Sequence, residues 1–136
     1  MCLDRVTVKK RITKKDIHGW KVVETAYGLM LSPVAETIIN KGVNKAQDLS
    51  NQRDLKLVKS PVKPGFCIFR RKRDALNYKH LYERHFVFEL IYERHFVFEC
   101  KIIKVKVPKG TEVSLGTMKL TCSDDAKVIV AQKIIV

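Results

Sequence analysis

Residues 82–100 read YERHFVFELIYERHFVFEC, in which the octamer Tyr82–Glu89 returns unchanged as Tyr92–Glu99. The shapes these two copies take decide the fold. If both lay in one strand that ran on through the lysine-rich stretch behind them, it would extend from Phe86 to Val107. At ~3.3 Å per residue it would be about 70 Å long, too long for a compact domain of this size. A hairpin between the copies would have to turn at Glu89-Leu90-Ile91-Tyr92, which offers no Gly, Asn, Asp or Pro. The copies are therefore expected to differ: the first as helix, the second as strand, with packing rather than propensity deciding each.

The residues upstream support the helical first copy. Ala75, Tyr78, Tyr82, Phe86 and Leu90 recur at steps of three and four, the stripe of an amphipathic helix over about 74–91. Asp74 stands where a cap or first-turn acid favours the helix dipole. Downstream, Phe96-Val97-Phe98-Glu99-Cys100 leads into Lys101–Val107, where Ile103, Val105 and Val107 alternate with Lys104 and Lys106. That is a strand wet on one face. A strand lengthened by ten residues keeps its faces, whereas a helix lengthened by ten misplaces its face by ~80°. The repeat thus reads as a recent duplication, natural or engineered, and not as a solenoid, which needs about three units or more. A spare "HFVF" copy could pair with another chain's edge, giving a homodimer or domain swap.

Outside the repeat the pattern is mostly β. Residues 1–15 hold Arg5, Lys9, Lys10, Arg11, Lys14 and Lys15 against Asp4, and are expected as a basic arm with a short strand at RVTV. The stretch DIHGWKVVET reads as the first core strand, and AYGLMLSP as a turn and a second strand ended by Pro33. In 34–50 the spacing of Val34, Ile38, Ile39 and Val43 suggests one or two helical turns and then an irregular stretch. LKLVKSPVKPG reads as a strand leading into a turn, GFCIF as a buried strand, and TEVSLG as a short strand or turn. AKVIVAQKIIV is a nearly all-apolar, central strand. The expected fold is α+β: a single domain over 16–136, a mostly antiparallel twisted sheet with one principal helix packed on it.

The 136 residues suit one domain with one core, and 46% of them are apolar. No apolar run approaches the ~20 residues that cross a bilayer, and the N-terminus has no apolar signal region. The expectation is a soluble, cytoplasmic protein with no membrane partner. The four cysteines, at 2, 67, 100 and 122, show neither CxxC nor zinc-finger spacing. They read as reduced, mostly buried thiols, with no metal and no cofactor implied. Cys2 would become an N-terminal nucleophile on loss of Met1, but Leu3 follows where amidotransferases of that type have Gly. His18, His80, His85 and His95 form no ligand set. Pairings of His80 or Tyr82 with Glu83 are conceivable acid–base groups that nothing singles out.

The net charge of +13 favours an anionic partner. Arg70, Arg71, Lys72 and Arg73 follow a strand and open a helix, a place where guanidinium groups bind phosphate. Lys101, Lys104, Lys106 and Lys109 supply a second stripe. If Lys104 and Lys106 share a face with the arginine run, the two form one patch. Trp20 could stack on a base, although a tryptophan between valines is more often core.

With one octamer removed, the chain runs MCL, KDIHGWKVVET, LSP, KPGFCIF, RDALNY, FECKIIKVKVPKGTEVSLG and DAKVIVAQKI. In this it resembles a family of small uncharacterised proteins of phages, prophages and bacteria. Their pattern is a Met-Cys-Leu start, a Tyr-Lys-Val strand, Leu-Ser-Pro, a Gly-Phe-His-x-Phe strand, an Asp-Ala helix, a strand ending in Pro-Lys-Gly, and a last Ala-Ser-Lys-Ile-like strand. The matching positions are Met1, Cys2, Leu3, Trp20, Lys21, Val22, Leu31, Ser32, Pro33, Gly65, Phe66, Phe69, Asp74, Ala75, Pro108, Lys109, Gly110, Ala131 and Ile134. Cys67 stands where the family has histidine. The resemblance implies a fold and a phage-like setting, not an activity. Three functions follow as expectations. The first is a basic phage-type accessory protein contacting nucleic acid or another polyanion through Arg70–Arg73 and the lysine-rich strand. The second is a module engaging an acidic host protein. The third is a degenerate ADP-ribosyltransferase-like enzyme, because the Gly65-Phe66-x-x-Phe69 strand before a helix resembles that core; the Arg, Ser-Thr-Ser and Glu series of that group is not readable here.

Overall fold

The computed structural model describes residues 3–26, 28–32, 38–46, 63–94, 99–120 and 125–136, with the backbone alone at 26 and 85–94. In chain order the elements are β1 (Arg5–Ile12), β2 (Ile17–Ala26), β3 (Leu29–Leu31), β4 (Ile38–Ile39), β5 (Val43–Lys45), β6 (Phe66–Phe69), α1 (Lys72–Arg94), β7 (Glu99–Val107), β8 (Glu112–Lys119), β9 (Asp125–Ala131) and β10 (Lys133–Ile135). The ten strands among the described residues join one antiparallel sheet in the order β1-β8-β9-β6-β2-β7-β10-β5, with β3 beside β2 and β4 beside β3. The protein is a large antiparallel sheet with a single helix among the described residues. It is sheet-rich rather than a balanced α+β fold.

The octamers behave as follows. Tyr82–Glu89 lies wholly in α1. The helix then runs three residues further than the expected stop at 91, through Tyr92-Glu93-Arg94. No Gly or Pro intervenes to end it, and Glu and Arg are good helix formers. The second copy reaches β7 at Glu99; its residues 95–98, expected as strand, lie outside the described residues. At the other end α1 begins at Lys72, so Asp74 is a first-turn acid rather than a cap. Ala75 and Tyr82 are buried and Tyr78 half-buried, as the stripe requires. The side chains of Phe86 and Leu90 lie outside the description.

The two faces of the sheet carry two cores. On the helix side, Val22, Phe69, Cys100, Val128 and Val130 pack with Ala75 and Tyr82, and Leu3 and Leu120 complete the cluster. On the other side, Val23, Phe66, Ile68, Val105, Val107, Val113, Ile129, Ala131 and Ile134 pack among themselves. The second cluster needs no covering layer because the sheet curls over it. β9 and β10 are one strand bent at Gln132, yet β9 pairs with β6 while β10 pairs with β7. Since β2 lies between β6 and β7, the five-strand stretch β9-β6-β2-β7-β10 must curve until a single chain segment supplies both its ends. Backbone bonds hold the bend: Gln132 N–H donates to Glu112 O at 3.1 Å, and Ala46 N–H to Gln132 O at 2.7 Å.

This closure explains Lys21, which is 2% exposed. Alternation along β2 turns it away from Trp20 and Val22, towards the side where a one-faced sheet would meet water. Here that side is interior. Its ammonium lies 5.8 Å from the centre of the Phe66 ring and donates to the Cys67 carbonyl at 3.5 Å. Gly19 serves the same enclosure. A Cβ there would fall 2.4 Å from Ile68 Cγ2 and 2.9 Å from the Phe69 carbonyl oxygen, so β6 can approach only a glycine.

Several further expectations change. In 38–46 the structure has the short strands β4 and β5 joined through Gly42 at φ 93°, not helical turns. Val43 and Ile38 have helical spacing by coincidence, and a positive φ at Gly42 sets the turn. The strand expected at RVTV extends to Ile12 and pairs with β8. TEVSLG belongs to the eight-residue strand β8. The strand expected in LKLVKSPV lies outside the described residues. No helix among the described residues is long and apolar enough to cross a membrane.

Candidate anion-binding face

The strand register places the lysine stripe. In the β2–β7 ladder, Trp20 lies opposite Lys104 and His18 opposite Lys106. Directly opposed residues of an antiparallel pair project to the same side. That side is the one α1 covers, since Val22, Cys100 and Tyr82 belong to its core. α1, however, lies over the other end of these strands, where Tyr82 Oη donates to a Glu24 carboxylate oxygen. Towards Ile17 the same face holds half-buried Trp20 and exposed His18 and Lys104.

The start of α1 meets this region. Lys72 is exposed, and its ammonium sits 5.3 Å from the Trp20 ring centre, a cation–π contact. Phe69, directly opposite Trp20 on β6, is 1% exposed, and its ring lies 5.2 Å from that of Tyr78. Thus β6 and the first turns of α1 fix the place from which Lys72 reaches the indole. At the far end, Thr13 Oγ1 and Thr111 Oγ1 both donate to the Pro108 carbonyl, at 2.9 and 2.6 Å. Lys109 N–H donates to Asp16 Oδ1 at 2.8 Å, and Asp16 Oδ2 lies 4.0 Å from Lys106 Nζ. The turn carrying Lys109 is therefore pinned beside Lys106.

The eight cations named from sequence divide accordingly. Lys72, Lys104 and Lys106 converge on the Trp20 face, with Lys109 on the pinned turn at its end. Arg70 and Arg71 are exposed in the bend between β6 and α1, and Arg73 is exposed in the first helical turn. Lys101 opposes Val23, whose side chain lies in the second core, so it projects to the other side of the sheet. Among these eight, and among the described residues, only Lys106 has a carboxylate within 4.0 Å. Away from these eight, Lys10 and Lys63 each approach Glu112, and Lys79 approaches Glu83. Sequence alone does not single out Asp16, and it presents His18 only as one of four histidines that form no ligand set. The signal for His18 is the strict alternation of β2, which is informative once the register with β7 is known.

The other chemical candidates lead elsewhere. Tyr82 is bonded to Glu24 rather than to Glu83, and Glu83 faces Lys79 and His80, the latter at 3.9 Å. Burial, reinforced by the nearby Glu24 and Glu83 carboxylates, pushes the Cys100 thiol up to about 12, which keeps it protonated and a poor nucleophile. Phe66, Ile68 and Phe69 of the Gly65–Phe69 strand are buried in the two cores. Cys2 and Cys122 lie outside the described residues. No family model matches the chain, and neither does any curated protein or solved structure.

Proposed function

We propose that this chain is a basic accessory protein, of the phage-like type its sequence resembles, that binds nucleic acid through the face bearing Trp20, Lys72, Lys104 and Lys106. One observation carries the reading: three lysines from two distant segments share the face of one half-buried indole, Lys72 over its ring, Lys104 opposite it and Lys106 opposite His18, and among the described residues a single acid, Asp16, approaches one of them. Like charges repel, so such a gathering costs stability unless an anion neutralises it. Arg70, Arg71, Arg73 and Lys109 border the face and add range to its field, while Lys101 lies outside it.

Phosphate contacts release counterions, so affinity should fall linearly with salt on logarithmic axes, by about 0.7–0.9 of a unit of slope per contact. A salt titration with duplex and single-stranded DNA or RNA checks this. Charge removal at Lys72, Lys104 and Lys106 together should flatten the slope by about 2–3. The same removals from Lys10 and Lys63, already occupied by Glu112, should change it less. Absence of binding at low salt would end the reading, and capture of one acidic protein that survives nuclease treatment would replace it with the host-protein module.

A further inference from the structure

We propose, building on the nucleic-acid reading above, that Trp20 is a stacking platform for one unpaired base, and that the face selects single strands whose phosphates run along Lys104 and Lys106. Trp20 is half-buried and packs against the helix-side core, and the ammonium of the exposed Lys72 sits over its ring. Magnitudes decide which occupant wins. An exposed cation–π contact is worth a factor of about 2–5 in an equilibrium. A base stacked on an aromatic ring is worth a factor of about 5–150. A base therefore displaces the Lys72 ammonium, which is then free to meet a phosphate. In a duplex the base faces are already stacked on their neighbours, so only an unpaired base can use the indole.

The cations around the ring suit a linear backbone. Lys104 and Lys106 are alternate residues of one strand, about 7 Å apart on the same face. With Trp20 and His18 opposite them on β2, they form a row beside the platform. The row ends at Asp16, which lies 4.0 Å from Lys106 Nζ and repels phosphate, so the backbone is held on the Lys104 side. Trp20 is the sole tryptophan of the chain, which makes its emission a direct reporter of stacking.

The experiment measures affinity for a labelled oligothymidine and for a duplex of equal charge by anisotropy, alongside Trp20 emission on titration with unlabelled strands. The single strand should quench Trp20 and bind more tightly, and the duplex should leave the emission nearly unchanged. Trp20→Leu should cut the single-strand advantage about 5- to 100-fold, and Trp20→Tyr should restore most of it. Lys104→Gln should weaken both ligands alike and lower each salt slope by about 0.7–0.9. If Trp20→Leu does not fold, the emission titration of the native chain and the Trp20→Tyr affinities still decide. Salt-dependent binding with equal affinities, or with no quenching by the single strand, overturns this inference and leaves the basic-face reading standing. Failure to bind any strand at low salt overturns both.

Discussion

Phe69→Ala tests the junction on which both the fold and the candidate face depend. Phe69 is 1% exposed, lies opposite Trp20 on one side and Val128 on the other, and meets the Tyr78 ring at 5.2 Å. Truncating a buried phenylalanine costs about 3–5 kcal/mol through lost transfer energy and the cavity left behind. The strands on both sides of β6 are held by their own ladders, so the space cannot easily collapse, and the upper half of that range applies. The Tyr78 contact, worth about 0.5–1.5 kcal/mol, is part of this loss. With a urea dependence of about 2 kcal/mol per molar, the unfolding midpoint should fall by about 2 M. Phe69→Leu, which refills most of the volume, should cost about 1–2 kcal/mol. The assay is urea unfolding followed by Trp20 emission and by far-UV circular dichroism, whose transitions should coincide. A midpoint drop under about 0.5 M for the alanine variant would mean that Phe69 does not join helix to sheet as described.

Gly19→Ala should destabilise by at least about 1–3 kcal/mol, because its Cβ would strike a backbone oxygen that cannot swing aside; an unchanged urea midpoint would refute the close approach of β6. Cys100 should resist alkylation in the folded protein at about pH 8 and react once urea unfolds it, as peptide mapping by mass spectrometry can show. Because its folded value of about 12 exceeds the ordinary 9.0, unfolding sheds a proton between those limits. Its contribution is therefore complete below pH 9.0 and is lost as pH rises towards 12, so Cys100→Ala should lessen the decline in urea midpoint between about pH 8 and about pH 10. Deleting one ten-residue unit, 82–91, regenerates Tyr82-Glu83-Arg84 in place. The described helix–sheet contacts come from Ala75, Tyr78, Leu81 and Tyr82, so the shortened protein should keep its sheet signal and cooperative unfolding while losing helical ellipticity.

Much of this architecture could be read from periodicity. The stripe Ala75-Tyr78-Tyr82 announced α1, and the Ile-Lys alternation of 103–107 announced β7 with its wet face. Both signals are local, and packing agreed with them. The misread residues are those whose state is set at a distance. Ile38, Ile39 and Val43 fit a helix as well as two very short strands, and only pairing with β3 and β10 selects the latter. Alternation alone would leave Lys21 in water, because nothing local to it reveals that the sheet closes on itself. The candidate face was half legible. Lys104 and Lys106 shared a face by spacing, but their neighbours Trp20 and Lys72 come from other segments, and no pattern along the chain joins residues 20, 72 and 104.

The pairing of early strands with late ones constrains how the molecule can be made. Arg5 finds its partner at Thr117, Ile17 at Val107 and Phe66 at Ala131, so closing these ladders means bringing together points 65 to 112 residues apart. Such non-local assembly is slow, commonly milliseconds to seconds for sheet-rich domains. On a ribosome adding about 5–20 residues each second, β2 waits several seconds for β7 to be synthesised. During that interval only local elements such as α1 and the β2–β3 pairing can form, and the rest of β2 has its apolar side chains uncovered. A chaperone that shields nascent strands would be expected to change the yield of this protein more than its final stability.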